Sequence, residues 1–151
     1  MKNFTLPIRF GIATSGSLIA YFLILSLLGL HTNVFFSLFN AVITGFGIYE
    51  AIKYYKLENG KSFRYSMGFT TGLTTGGMAT IIFTIFFALY STELNPGFLE
   101  ILSTQWASEY QSFEAIVFFV VAVMGFSTTV VLTLTFMQLF KTTNNLTVNK
   151  P

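Results

Sequence analysis

The segment that decides the fold is residues 68–79, which have the sequence GFTTGLTTGGMA and open an apolar run that ends near Tyr90. Glycine recurs in it every four residues, at Gly68, Gly72 and Gly76. On a helix, positions four residues apart differ by only about 40° around the helix axis, so the three glycines lie on one face. That face is predicted to be nearly bare backbone. In water each interior glycine would cost roughly 1 kcal/mol relative to alanine. In lipid, such a face allows the close backbone approach that gives membrane helices much of their packing energy.

The composition of the whole chain also indicates a membrane protein. Of its 151 residues, 53% are hydrophobic and 9% are charged, and the mean hydropathy is +0.68. Soluble domains carry about 25% charged residues. The apolar runs are longer than about 20 residues, the length that crosses a bilayer, and this disfavours a soluble β-rich fold. The chain contains no cysteine, which excludes disulfides and thiolate metal ligands.

Four apolar runs are long enough to cross a bilayer as helices. They cover about residues 8–30, 34–55, 65–90 and 114–140. The short break around His31 predicts that the first two helices form an antiparallel hairpin, and the last two form a second hairpin. The first run is too long for a signal peptide and is followed by no small-x-small cleavage site. We therefore predict an all-α, polytopic membrane protein, a single four-span domain over residues 1–151 with a disordered tail at 142–151.

The connection between the third and fourth helices contains a predicted interfacial segment. Asn95 is a suitable N-cap and Pro96 a suitable first helical residue. The apolar side chains that follow, including Phe98 and Trp106, recur at helical spacing. We therefore expect residues 96–107 to form a short helix on the membrane surface, with Pro96, Phe98 and Trp106 at the interface.

The basic residues predict the orientation of the bundle. All eight Lys and Arg residues lie on one side of the four spans: Lys2 and Arg9 at the start of the first helix, four between residues 53 and 64, and Lys141 and Lys150 after the fourth helix. By the positive-inside rule, both termini and the middle loop are cytoplasmic.

Small and hydroxyl residues also gather on one face of the second and fourth helices. On the second helix this face consists of Ser37, Asn40, Ala41, Thr44, Gly47 and Ala51, opposite Phe35, Phe39, Val42, Phe46 and Tyr49. On the fourth helix it consists of Ala115, Ala122, Gly125, Thr129 and Thr133. We predict that these faces pack inside the bundle. The predicted helix-packing residues are thus Gly68, Gly72, Gly76, Ala79, Gly47 and Gly125.

Glu50 is the one charged side chain well inside an apolar run, and an intramembrane carboxylate is by default a functional candidate. Lys53 lies one turn further on as a partner, and the cytoplasmic end of the helix is about 7–8 Å away, within reach by snorkelling. Two interpretations stay open. Glu50, Lys53 and Asn40 form a polar proton or ion site, or Glu50 and Lys53 form a local ion pair at the interface. A wet cavity shared by Glu50 and Asn40 would favour the first.

The sequence contains no catalytic or cofactor-binding signature. His31 has no Cys, Asp or Glu near it in sequence, and no G-x-S-x-G motif occurs. We predict no catalytic residue, no metal, no cofactor and no nucleic-acid partner. The basic middle loop is a topology determinant that can also attract anionic lipid.

Three short motifs resemble a known family. They are Tyr54-Tyr55-Lys56, Asn59-Gly60-Lys61-Ser62-Phe63 leading into the Gly68/Gly72 helix, and Asn95-Pro96-Gly97-Phe98-Leu99 after it. Together they resemble the domain of unknown function 4199 family, small four-helix membrane proteins typical of Bacteroidota. Asn95 stands where that family usually has an acidic residue. The resemblance implies the fold and a bacterial inner-membrane location, and it implies no activity.

We therefore predict a non-enzymatic integral membrane component that acts by helix–helix association, as a scaffold or accessory subunit of a membrane complex. Its predicted partners are the lipid bilayer and either a second copy of the chain or another membrane protein. The alternative is a small transporter or channel subunit that uses Glu50 and the Thr-rich helix faces, and a membrane enzyme is the third class considered.

Overall fold

The computed structural model describes residues 2–30, 34–95, 97–100 and 113–140, which are helical apart from short connections and contain no strand. The main helices are α1 (Lys2–Leu27), α2 (Val34–Asn59), α3 (Tyr65–Leu89) and α4 (Phe113–Phe140). Gly60–Ser62 form a 3₁₀ turn after α2, and Tyr90–Leu94 form a π-helical turn after α3. All four helices are long and apolar enough to cross a membrane, which confirms the predicted fold class. The tail at 142–151, His31, Pro96 and Trp106 lie outside the described residues.

Glycines with positive φ set the ends of the first two helices. Gly29 has a φ of 68° and ends α1 in a Schellman motif, in which Leu30 N donates to Leu25 O at 2.9 Å. Gly60, with a φ of 48°, ends α2 four residues later than the apolar pattern predicted. The apolar pattern marks only the part of a helix that lies in hydrocarbon, so polar turns such as that of Asn59 continue beyond it.

The helices α2 and α3 each contact the other three, whereas α1 and α4 contact mainly α2 and α3. The ring pairs Phe10–Tyr54 and Tyr21–Phe39 show that α1 and α2 are antiparallel. Thr75 of α3 donates to Pro7 O of α1, and Lys56 of α2 donates to Phe140 O of α4. The starts of α1 and α3 and the ends of α2 and α4 therefore lie together. We call this the basic end, because the Lys and Arg side chains that the structure describes lie toward it, namely Arg9, Lys53, Lys56, Lys61 and Arg64.

Two apolar clusters hold the two ends of the bundle. Near the basic end, Ile48, Ile52 and Met137 are fully buried. At the opposite end is an aromatic cluster in which Phe22 lies edge-on to Tyr90 and Phe87, with ring centroids 5.0 and 5.7 Å apart. Edge-to-face ring contacts at these distances are favourable beyond the area that they bury.

Between the clusters, α3 and α4 pack through small residues, and we call this contact the glycine–threonine seam. Its pairs are Gly72 with Thr133, Gly76 with Thr129, and, with the roles reversed, Gly125 with Thr80. Each step of four residues forward along α3 corresponds to four residues backward along α4, so the two helices are antiparallel in a single register. A Cβ atom placed on Gly72 would lie 2.5 Å from Thr133 Cγ2, a distance that real Cβ atoms essentially never show.

Steric contact fixes the seam, since the hydroxyls of Thr129 and Thr133 find no hydrogen-bond partner among the described residues. Both side chains are almost fully buried, at 1% and 0% exposed. Gly68 continues the same line, because a Cβ there would lie 2.7 Å from Met137 Sδ. The glycine face of α3 is therefore filled by a helix of the same chain.

We expect Gly72→Ile to destabilise the bundle and Gly77→Ile to be tolerated. A side chain at position 72 collides with Thr133, and overpacking of this kind costs roughly 1–3 kcal/mol. A Cβ at position 77 meets only Phe126 Cε1, at an ordinary 3.6 Å. Because the two changes are chemically identical, their helix propensities cancel. The thermal aggregation temperature in detergent should fall much further for Gly72→Ile. Equal temperatures would show that the seam contributes nothing.

Candidate functional site

Glu50 lies on the outer side of α2, paired with Lys53. Lys53 Nζ donates to Glu50 Oε1 at 3.1 Å and to Oε2 at 3.4 Å, and the two side chains are 44% and 18% exposed, respectively. Phe46 and Leu57, which share this helix face, are both strongly exposed. This geometry fits the local ion pair at the basic end.

Asn40 does not join this pair. It lies ten residues before Glu50 on α2, about 15 Å along the helix axis. Its Oδ1 is buried and accepts no hydrogen bond from the part of the chain that the structure describes. The structure thus does not bring the three predicted polar residues Glu50, Lys53 and Asn40 into one site.

The other predicted packing residues lie in helix contacts. Thr14 of α1 packs directly over Gly47, and Ala79 on α3 is fully buried. The predicted faces are less complete at the end opposite the basic end, where Ser37 and Ala115 are exposed. We expected the small residues of α2 and α4 to pack along the whole length of each helix. The helices pack closely over only part of that length.

Phe98 lies against the bundle rather than outside it. It is 4% exposed, and its ring centroid is 5.9 Å from that of Phe87. The described part of the predicted interfacial segment, residues 97–100, therefore closes the aromatic cluster. The chain reaches it through the π-helical turn, where Tyr90 forms a short hydrogen bond with Ser26 of α1. This contact ties the end of α1 to the end of α3.

A groove of about 200 Å³ opens between α1, α2 and α3 at the basic end. Its walls are formed by Pro7, Tyr55, Ser66, Met67, Thr70, Thr71 and Thr74. Neither Glu50 nor Asn40 lines it. The groove was not predicted from the sequence, although Ser66, Thr70 and Thr74 repeat every four residues beside the glycine face.

Of the three threonines that line the groove, only Thr71 makes a side-chain hydrogen bond within the described part of the chain. Thr71 Oγ1 donates to Met67 O at 2.8 Å. The side-chain hydroxyls of Tyr55, Ser66, Thr70 and Thr74 make no hydrogen bond to any other described residue. The groove therefore gathers several hydroxyls that remain available to a ligand or to water.

The deeper side of the groove is closed where α1 crosses α3. Thr75 Oγ1 donates to Pro7 O at 3.2 Å across this crossing. A Cβ on Gly11 would lie 2.7 Å from Met78 Cβ and 2.9 Å from Thr75 O. The two backbones are thus in close contact immediately beyond the groove.

Four long apolar helices, packed through small residues and carrying their described basic side chains at one end, define a small polytopic helical membrane protein. The model of the family described as "Protein of unknown function (DUF4199)" matches residues 9–141, and the chain belongs to this family. The resemblance found in the sequence is thereby confirmed. Comparison with curated proteins found no match, and comparison with solved structures found none.

Proposed function

We propose that the protein is a non-enzymatic membrane component that associates with a second copy of itself through the outer face of α1, and so serves as a scaffold or accessory subunit of a membrane complex. The observation that carries this proposal is Gly16. Apart from its own helix backbone, no atom of the described residues lies within 4 Å of the position that its Cβ would take, whereas the space over Gly72, Gly76 and Gly125 is filled by threonine.

The surroundings of Gly16 form a small-residue face in the middle of the span. Ala13, Ser17 and Ala20 are exposed beside it, at the spacing of one helix face. The span of α1 covers Thr5–Leu27, so Gly16 lies at its centre. Glycine has the lowest helix propensity after proline, and among the described residues no side chain packs into the space over Gly16 that would account for it. A small-residue face is also self-complementary, because two copies can bring their backbones together along it.

The glycine face of α3, on which the sequence-based prediction of association depended, is occupied within the chain by α4. We therefore assign association to α1. The ion pair on the outer side of α2 and the closure of α1 on α3 at Gly11 support a structural role over a transport role.

We expect Gly16→Ile to weaken self-association at least about tenfold, which corresponds to 1.4 kcal/mol. The matched control is Ser127→Ile, which places the same side chain at an exposed position of α4. Dimer formation is measured in vesicles by energy transfer between labelled copies over a range of protein-to-lipid ratios.

A monomeric wild-type protein, or equal dimer formation by the two variants, would contradict self-association. If the wild type is monomeric but loses a co-purifying membrane protein on Gly16→Ile, then the face belongs to a different partner.

We further propose that the basic end faces the cytoplasm of a bacterium, with both termini inside and the protein in the inner membrane. Single cysteines at Ser62→Cys and Glu93→Cys, both exposed, are suited to test this in the cysteine-free chain. An impermeant thiol reagent added outside spheroplasts should label position 93 and leave position 62 unlabelled. Labelling of position 62 alone would reverse the orientation.

A further inference from the structure

We propose that the groove at the basic end binds the phosphate and glycerol region of an anionic phospholipid. The groove holds about 200 Å³, many times the roughly 10–15 Å³ that a cavity needs to hold one water. It opens where α1 and α3 enter the apolar region, since their spans begin at Thr5 and Tyr65. This is the depth at which lipid headgroups lie.

The donors in the groove fit an acceptor-rich ligand. Tyr55 is only 5% exposed and lines the wall, and its hydroxyl makes no hydrogen bond within the described part of the chain. The Tyr55 hydroxyl is not among the buried unpaired atoms, so it is accessible from the groove and can donate to a ligand oxygen there. Ser66 and Thr70 add two further unpaired hydroxyls on the adjacent turns of α3.

The start of α3 adds a favourable field for an anion. Arg64 occupies the N-cap position, and its side chain makes no capping hydrogen bond. An arginine cannot accept a hydrogen bond, so the first amides of this 25-residue helix have no side-chain acceptor. A helix N-terminus carries a partial positive charge, and exposed Arg9 and Lys61 lie at the same end of the bundle. Of the acidic residues at this end, Glu50 is paired with Lys53, and Glu58 is exposed.

The length of the groove favours a lipid over a free phosphate ion. Its hydroxyls extend from Ser66 to Thr74, about 12 Å along α3. A free ion needs its donors around one point. A phospholipid instead presents phosphate oxygens near the surface and ester carbonyls further into the bilayer, so that Ser66 and Thr70 serve the phosphate, and Thr74 serves the esters. The close contact of Gly11 with α3 lies beyond these lining residues, on the side of the groove away from the headgroups.

The test uses the full-length protein in dodecyl maltoside, titrated with dioleoylphosphatidylglycerol or dioleoylphosphatidylcholine, with retained lipid measured by native mass spectrometry. We expect the anionic lipid to be retained about tenfold more tightly, and the variant Tyr55→Phe/Thr70→Val to lose about tenfold of that affinity, because it removes two hydrogen bonds to charged or carbonyl oxygens. The control variant Tyr54→Phe/Thr135→Val changes the same residue types outside the groove and should bind as the wild type does.

Equal retention of the two lipids, or equal retention by the groove variant and the control variant, would overturn the proposal. Competition by millimolar inorganic phosphate that removes the lipid completely would assign the site to free phosphate and overturn the lipid assignment. If Tyr55→Phe/Thr70→Val does not fold, Thr70→Val alone provides the comparison, since Thr70 is exposed. Tyr55 and Thr70 lie on α2 and α3, away from the outer face of α1. The lipid-binding result is therefore independent of self-association.

Discussion

The close approach of α3 and α4 depends on threonine side chains that occupy the space left by glycines on the facing helix. Thr133 fills the position over Gly72, and Thr129 fills the position over Gly76. Helices in lipid gain little from hydrophobic burial against one another, so this contact supplies the van der Waals packing that holds α4 to the bundle. Among the described residues of α4, only Thr129, Thr133 and Met137 are buried, which shows how much of its attachment lies in this seam.

The seam also positions what lies at either end of it. With α3 and α4 in one register, Met137 reaches Ile48 and Ile52 of α2 near the basic end. At the other end, Phe118 reaches the ring of Phe87, with centroids 6.2 Å apart. Because α3 is held between α1, α2 and α4, its hydroxyl-bearing side next to the seam faces α1 and α2 and forms the groove. The seam is therefore packed sterically, and the charged side chains of the described residues lie toward the ends of the bundle.

The sequence predicted features that depend on the spacing within one helix. The glycine face of α3 and the pairing of Glu50 with Lys53 follow from positions three or four residues apart, which any helix brings together. It did not predict that α4 would fill the glycine face, because the same close packing serves a helix of the same chain or of another. It also did not predict that Phe98, expected at the membrane interface, would pack on Phe87. An apolar side chain in a short segment gives the same pattern whether its apolar partner is lipid or protein. The groove escaped prediction because Pro7, Tyr55 and Ser66 belong to three different helices.

The most direct test of the central contact is to exchange its two members. Gly72→Thr alone should overpack the seam, and Thr133→Gly alone should leave a gap, so each variant should lower the thermal aggregation temperature in detergent. The double variant Gly72→Thr/Thr133→Gly restores one threonine facing one glycine. The double variant should lose less stability than the two single variants lose together. The difference should be about 0.5–3 kcal/mol, the usual coupling energy between residues in contact. Additive losses in the double variant would show that the two positions do not interlock and would contradict the account.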